Sequence, residues 1–329
     1  MNSSQDDFSP HLIIKNDRHR DLRYGENPHQ KAALYVDPTV KEANVVTASQ
    51  LNPTAKALSY NNYNDADGAL NLIKEFKKPA AAIIKHANPA GCSVAKTISE
   101  AYEKALATDP MSAFGGVVAL NRECDAKTAE KIVSSFKEVV VAPSYSDESL
   151  SILKTKENLR ILSVGELGSP TVIVIEKPIV GGRLIQQRDL HTISPEDLEI
   201  VTTIKPTASQ IKTMIFAWKV AKHVKSNAIV FATGTETVGL GMGQVSRVDA
   251  VRLASIKSIE HAQDKTPQGA VMASDAFFPF PDAIEKAAEV GISAVIQPGG
   301  SINDSAVIDA ANDLGISMAF TGIRCFKHD

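Results

Sequence analysis

The sequence predicts a layered α/β protein, on three observations. Short β-branched runs alternate with helical spacings along most of the chain, the habit returns in the second half, and the composition is that of an ordinary globular protein. The alternation opens with apolar spacing near 3.6 at residues 66–76, a helix, followed by the compact run AAII at 81–84, a strand. Helices are expected next at 98–107 and 126–136, and strands at 116–120 (GVVAL), 139–142 and 171–175 (TVIVI). In the second half a helix over 208–224 carries Ile211, Ile215, Trp218 and Ala221 on one stripe. Strands at 228–232 and 237–240 and a helix at 248–259 follow it. The tail then reads as strand 271–273, helix 282–290, strand 294–296, helix 305–314 and strand 318–321.

A short echo between AAAIIKHANPAG at 80–91 and SNAIVFATGTETVG at 226–239 predicts two related units, each with an apolar strand running into a polar, glycine-containing turn. The polar stretch 186–206 ends at Pro206 and marks the boundary. Residues 1–20 then read as a loose leader, 21–205 as the first unit and 206–329 as the second.

Composition excludes several classes. The chain has 329 residues, 43% of them hydrophobic, with 35 basic against 38 acidic side chains for a net charge of −3. Surface scaling gives roughly 13,000 Å² for such a folded chain, enough burial for a core without disulfide staples. A slightly acidic chain has no general attraction for nucleic acid, which leaves room only for a local basic pocket. Cys92, Cys124 and Cys325 form no C-x-x-C, against a disulfide framework or a thiolate zinc site. The start MNSSQDDFSP lacks the basic and apolar regions of a secretion signal, and no apolar run approaches ~18 residues. The expectation is a cytoplasmic, membrane-free protein with reduced thiols. Walker, H-E-x-x-H, zinc-deaminase and G-x-S-x-G patterns do not occur.

Five segments could carry chemistry. RYGENPHQ at 23–30 crowds Arg23, Tyr24 and His29 around an Asn-Pro turn, either as a phosphate-binding loop or as a polar capping loop. Lys85-His86 ends an apolar strand and continues as KHANPAG, where ligand sites of open α/β sheets lie. An ammonium beside the imidazole disfavours a second positive charge and leaves the ring able to accept a proton; the plain alternative is a surface Lys-His pair. Lys225-Ser226-Asn227 precedes GLGMGQVSR at 239–247, which is not the dinucleotide fingerprint because Gln244 falls where its third glycine belongs. SDAFFPFPD at 274–282 offers either an aromatic wall for a ring system or core phenylalanines, with Asp282 starting a helix. RCFKH at 324–328 is a basic end, either a phosphate contact or frayed.

Together with DPMSAFGG at 109–116, these segments resemble, in order, the transformylase portion of the AICAR transformylase/IMP cyclohydrolase family, from about residue 21 to the end. The resemblance implies two cytidine-deaminase-like α/β/α units and an intertwined homodimer with active sites at the subunit interface. It implies transfer of a formyl group from 10-formyltetrahydrofolate, the folate co-substrate, to the amine of AICAR. By similarity Lys85, His86 and Asn227 are catalytic; Arg23, Tyr24, His29 and Arg324 bind the nucleotide; Asn64 and His328 bind substrate; Arg247, Phe277 and Asp282 line the AICAR and folate pockets. Potassium accompanies some members, which makes Ser226 and Asp275 its expected neighbours, and no zinc is expected.

The chemistry suits these residue types. The AICAR amine is a poor nucleophile, so a base at His86 would relieve positive charge on nitrogen, while Lys85 and Asn227 would stabilise the oxyanion. Two departures stand out. Only about twenty residues precede the match, so the expectation is a transformylase without the cyclohydrolase domain: either ring closure falls to a separate protein, or the sequence is a fragment. Thr233-Gly234-Thr235 replaces a more usual lysine-containing turn. The rival reading is a non-enzymatic ribonucleotide sensor, against which the joint presence of Lys85, His86 and Asn227 argues.

Overall fold

A computed structural model describes residues 8–328. Most helices begin where a short side chain can accept a backbone N–H. Ser59 caps α1 (Tyr60–Lys74), Thr97 caps α2 (Ile98–Leu106) and Asp125 caps α3 (Ala126–Val133). Ser146 caps α4 (Asp147–Leu153), Thr207 caps α5 (Ala208–Ala221) and Ser246 caps α6 (Arg247–Glu260). Two more helices, α7 (Asp282–Glu289) and α8 (Asp304–Asp313), start without such a bond.

The strands β1 (Asp17–Leu22) and β2 (Ala32–Val36) form an antiparallel hairpin. Next come β3 (Ser49–Gln50), β4 (Ala80–Lys85), β5 (Asn88–Val94), β6 (Val117–Leu120), β7 (Val139–Ala142) and β8 (Arg160–Ser163). A second hairpin joins β9 (Val174–Ile179) to β10 (Gly182–Gln187). The remainder are β11 (Glu199–Ile200), β12 (Ile229–Thr233), β13 (Glu236–Gly241), β14 (Val271–Ser274), β15 (Ala294–Gln297) and β16 (Ser317–Phe320). All but the two hairpins lie in one mixed sheet of order β11-β16-β15-β14-β12-β13-β5-β4-β6-β7-β8-β3. The fold is α/β, as the alternation predicts.

The chain traces one path twice, as α1-β4-β5-α2-β6-α3-β7-α4-β8 and as α5-β12-β13-α6-β14-α7-β15-α8-β16. Each copy is a hairpin whose first strand also pairs antiparallel with the first of three mutually parallel strands. Matching atoms meet in both copies. The Asn121 N–H donates to Ala80 O at 3.1 Å and the Asp275 N–H donates to Ala228 O at 3.3 Å. A Cβ at Gly91 would lie 2.0 Å from Ala105 O, and one at Gly239 would lie 2.5 Å from Ala254 O. In both copies a bare backbone lets the next helix close onto the hairpin.

Helices α1 and α5 contribute to one core that runs across both halves through Leu70, Ile73, Phe216 and Trp218. Two further cores lie apart from it, one holding Tyr102, Ile132 and Leu153 of α2–α4, the other Val251, Ile284 and Val307 of α6–α8. The halves meet where β5 pairs antiparallel with β13 at Ser93 and Glu236. Threonine hydroxyls complete this seam. The buried Thr237 Oγ1 accepts from Cys92 N at 3.0 Å and donates to Cys92 O at 3.1 Å, and Thr235 Oγ1 donates to Val94 O at 2.7 Å.

Three local expectations change. TVIVI at 171–175 is no core strand: its last residues open the exposed β9–β10 arm, and Ile173 and Val174 face solvent in this chain while Val172 and Ile175 are half-buried. The turn expected at Lys85–Gly91 is shorter, because Asn88–Gly91 already belong to strand β5; a register shift at Ile83/Ile84 sits opposite Pro89, where a missing N–H is tolerated. Strand β1 begins at Asp17, inside the stretch expected as leader. No helix among the described residues is long and apolar enough to cross a membrane.

The buried Glu42 ties the arm to the body. It accepts from Lys74 Nζ at 2.8 Å, Arg188 Nη1 at 3.1 Å, and the N–H groups of Thr171 and Val172 at 3.0 and 3.3 Å. Burial opposes its ionisation, yet Lys74 and the two N–H groups outweigh burial and bring its pKa from 4.5 to about 2. A depressed folded-state pKa means that this stabilisation is complete above 4.5 and fades as pH falls towards 2. Glu42→Gln should therefore cost about 3 kcal/mol in urea unfolding near pH 6, and the deficit should shrink as wild type is titrated below pH 4.5. At the seam, Thr237→Val keeps the shape but leaves the Cys92 N–H unpaired, and unfolding should show a loss of about 1–3 kcal/mol.

Candidate active site

Register gathers the chemistry-bearing loops at one edge of the sheet. Ile84 lies opposite Val117, Ile229 opposite both Gly241 and Ser274, and β15 and β16 run parallel to β14. The end of β4, the start of β6, the start of β12 and the carboxyl ends of β13–β16 therefore share that edge. Ligand sites of α/β sheets lie outside the carboxyl ends of parallel strands, which here are those of β14–β16.

The β4–β5 hairpin supplies the first cluster. Lys85 pairs with Asn88, leaving His86-Ala87 as a two-residue turn with φ of 52° and 61°. Such a turn suits Asn-Gly, and left-handed backbone at other residues costs on the order of 1–2 kcal/mol each. The turn is held from three sides. Asp65 of α1 accepts from His86 N at 3.1 Å and Ala87 N at 2.7 Å. Lys85 Nζ donates to Gly115 O at 3.0 Å, and Asn88 Oδ1 accepts from Lys225 N at 3.1 Å. The His86 ring is exposed.

Gly115 belongs to the DPMSAFGG segment, and its φ of +66° suits glycine. The other end of that segment, Asp109, is buried and bonded to Lys257 Nζ at 2.7 Å and His261 Nδ1 at 3.2 Å. Burial would raise the Asp109 pKa, but hydrogen bonds from Lys257 and Ser112 prevail and lower it.

The second cluster surrounds the start of β12. Asn227 Oδ1 accepts from Arg247 Nη2 at 2.7 Å and Nδ2 donates to Gln244 O at 2.9 Å. The buried Arg247 also donates to Asp275 Oδ1 at 2.5 Å and Ser274 Oγ at 2.9 Å. Ser226 Oγ donates to Asp275 Oδ2 at 2.5 Å and accepts from Lys327 N at 3.1 Å, which ties the C-terminal segment to the cluster. The Asn88–Lys225 bond joins the two clusters, so Lys85, His86, Ser226, Asn227, Arg247 and Asp275 form one neighbourhood.

The other expected residues are placed differently. Arg23 lies with its guanidinium carbon 5.0 Å from the centre of the Tyr24 ring, and its loop is closed by Gly25 N donating to Gln30 O at 2.8 Å. His29 is exposed on that loop. Phe277 is exposed on the connection after β14 and Asp282 at the start of α7, and Arg324, Phe326 and His328 stack in series, the latter two rings with centroids 5.5 Å apart. Asn64 lines a separate cavity of about 250 Å³ with Leu22, Tyr60, Tyr63 and Asp67, not the hairpin tip. Of the residues expected beside potassium, Ser226 donates to one Asp275 oxygen and Arg247 to the other, and no step below runs through a cation.

Sequence reasoning missed Asp65, Asn88, Glu138, Arg160 and Gln244. Glu138 accepts from Asn62 Nδ2 at 2.7 Å. Burial lowers the Arg160 pKa, and the charges of Glu138, Arg23 and Tyr24 act on it as well, which places this pair beside the RYGENPHQ loop. None had a local signal, since their partners lie far along the chain; only Asn88 and Gln244 stood inside motifs already singled out.

Two clusters of titratable and amide side chains, held by hydrogen bonds at one edge of a duplicated α/β sheet, define an enzyme-like site. A family model described as AICARFT/IMPCHase bienzyme matches residues 1–257, more than half of the chain. The chain belongs to that family, and so to the enzymes of purine biosynthesis. The match includes Lys85, His86, Asn227 and Arg247, while Asp275, Phe277, Asp282, Arg324 and His328 lie beyond it.

Asp275→Asn keeps the side chain's shape but leaves the Arg247 guanidinium buried without its anion. Urea unfolding should show a loss of about 3–5 kcal/mol, largely recovered when Arg247→Met is added.

Proposed function

We propose that this chain is a formyltransferase that moves the formyl group of 10-formyltetrahydrofolate to the amine of AICAR, giving FAICAR and tetrahydrofolate on the way to IMP. The observation that carries the reading is the Lys85-His86 turn, held out at the sheet edge beside the Asn227 cluster, in a chain of the bienzyme family. The amine nitrogen attacks the formyl carbon while His86 takes its proton. Lys85 and the free N–H of Asn227 stabilise the oxyanion, a contribution of about 3–4 kcal/mol per donor. The carbon–N10 bond then breaks, and the proton returns to N10 of the folate. Arg23 and Arg324, both exposed, suit the nucleotide phosphate. Phe277 suits a flat ring.

The reading includes a homodimer in the cytoplasm. Support for a second copy comes from the surface: the chain exposes 16451 Å², against roughly 13,000 Å² for a compact chain of this mass. The β9–β10 arm and its approach present Ile173, Val174, Ile179, Val180 and Leu184 to solvent.

The test is tetrahydrofolate release, followed by absorbance, from AICAR and the formyl donor. Turnover is expected, and tight AICAR binding without turnover would favour a sensor instead. His86→Ala should lower kcat by about 10²–10⁴ with little change in AICAR affinity, and a loss confined to affinity would contradict the base assignment.

A further inference from the structure

The His86-Ala87 turn sits in a backbone conformation that neither residue favours, and one carboxylate touches both. Asp65 Oδ2 accepts from His86 N and Oδ1 accepts from Ala87 N, at 3.1 and 2.7 Å, so each of the two positive-φ residues is held through its own N–H. The carboxylate is delivered by a fixed element. Helix α1 starts in a reciprocal capping box between Ser59 and Asn62, and Asn62 is itself bonded to Glu138.

The second half of the chain provides an internal comparison. The equivalent turn, between Thr233 and Glu236, has Gly234 at φ 58° where the first half has His86. Glycine adopts that conformation without steric cost. The residue of α5 that corresponds to Asp65, six positions after the N-cap, is Thr213; its hydroxyl turns back to Ser209 O at 3.0 Å. The carboxylate thus occurs in the copy whose turn lacks glycine.

We infer that Asp65 is the positioning residue that holds the His86 imidazole at its working place by clamping the two N–H groups of the turn. This rests on the formyltransferase reading above for its kinetic consequence, although the clamp itself does not. Asp65 makes no contact with the reacting atoms in this role; it acts through the backbone of His86. Substitution should therefore act on kcat rather than on AICAR binding, and it should have no further effect once His86 is gone.

The experiment measures steady-state kinetics and amide hydrogen exchange on the full chain for Asp65→Ala, Asp65→Asn, Ala87→Gly and the double variant Asp65→Ala/Ala87→Gly. In Asp65→Asn one oxygen remains to accept, so exchange at His86 and Ala87 should speed up at least tenfold while KM for AICAR stays within about twofold. In Asp65→Ala kcat should fall at least tenfold, and Ala87→Gly should restore a good part of that loss by removing one residue's resistance to positive φ. A role of Asp65 in the stability of α1 would not respond to a glycine in the turn. Unchanged exchange at both amides, or a kcat loss that Ala87→Gly leaves untouched, would overturn the inference. Should wild type show no turnover while Asp65→Asn still accelerates exchange at the turn, the clamp stands and the formyltransferase reading falls.

Discussion

The site depends on the antiparallel seam between β5 and β13. Because the two halves meet head to tail, the hairpin tip of the first falls beside the strand start of the second, and one edge receives Lys85 and His86 from one copy and Asn227, Arg247 and Asp275 from the other. The backbone ladder there is short, and it is extended by the Thr237 hydroxyl, which both accepts from and donates to Cys92, and by the Thr235 hydroxyl, which donates to Val94 O. A hydroxyl in place of a peptide group keeps Cys92 and Val94 satisfied in the interior, where an unpaired N–H or C=O would be costly. Through Thr235 the Thr233-Gly234-Thr235 turn is thus part of the joint between the halves.

Around that seam the side chains are fixed before any substrate arrives. Asn227 spends its oxygen on Arg247 and one N–H on Gln244, leaving a single oriented donor. Arg247 is itself locked by Asp275 and Ser274, and Asp275 by Ser226. Such chains hold dipoles in place so that little reorganisation remains when charge develops. The buried Arg247–Asp275 pair is better understood as orientation than as stability, because desolvation offsets much of the attraction between two buried charges.

Much of this was legible in the sequence where period and length agreed. The helices at 98–107 and 248–259 and the strands at 139–142 and 294–296 lie within a residue or two of α2, α6, β7 and β15. The reading failed where local chemistry opposed tertiary context. Pro89 and Gly91 hid β5, whose place is set by pairing with β4 and by the approach of α2. TVIVI has the composition of a core strand, and only its position in an arm outside the sheet shows otherwise. The neighbourhood of Lys85, Asn227 and Arg247 was readable as separate motifs. The atoms that unite them were not, because Asn88 and Lys225 lie 137 positions apart and no periodicity links them.

The repeated topology also sets the candidate edge against its equivalent. At the opposite edge the corresponding positions have become structural. Asn121 stands where Asp275 stands in the second copy, and its amide closes on Ala80 N at 2.7 Å, Phe76 O at 2.7 Å and Lys78 O at 2.8 Å. A turn built on Gly234 stands where Lys85-His86-Ala87-Asn88 stands in the first copy. Of two copies of one topology, the edge away from the candidate site satisfies its own backbone. The candidate edge keeps what stability alone would remove: a non-glycine turn at positive φ, an exposed His86, and a buried arginine that a hydrophobic side chain could replace. Local rules that hold at one edge and are broken at its equivalent are what single out His86 and the residues that hold it as the candidate site.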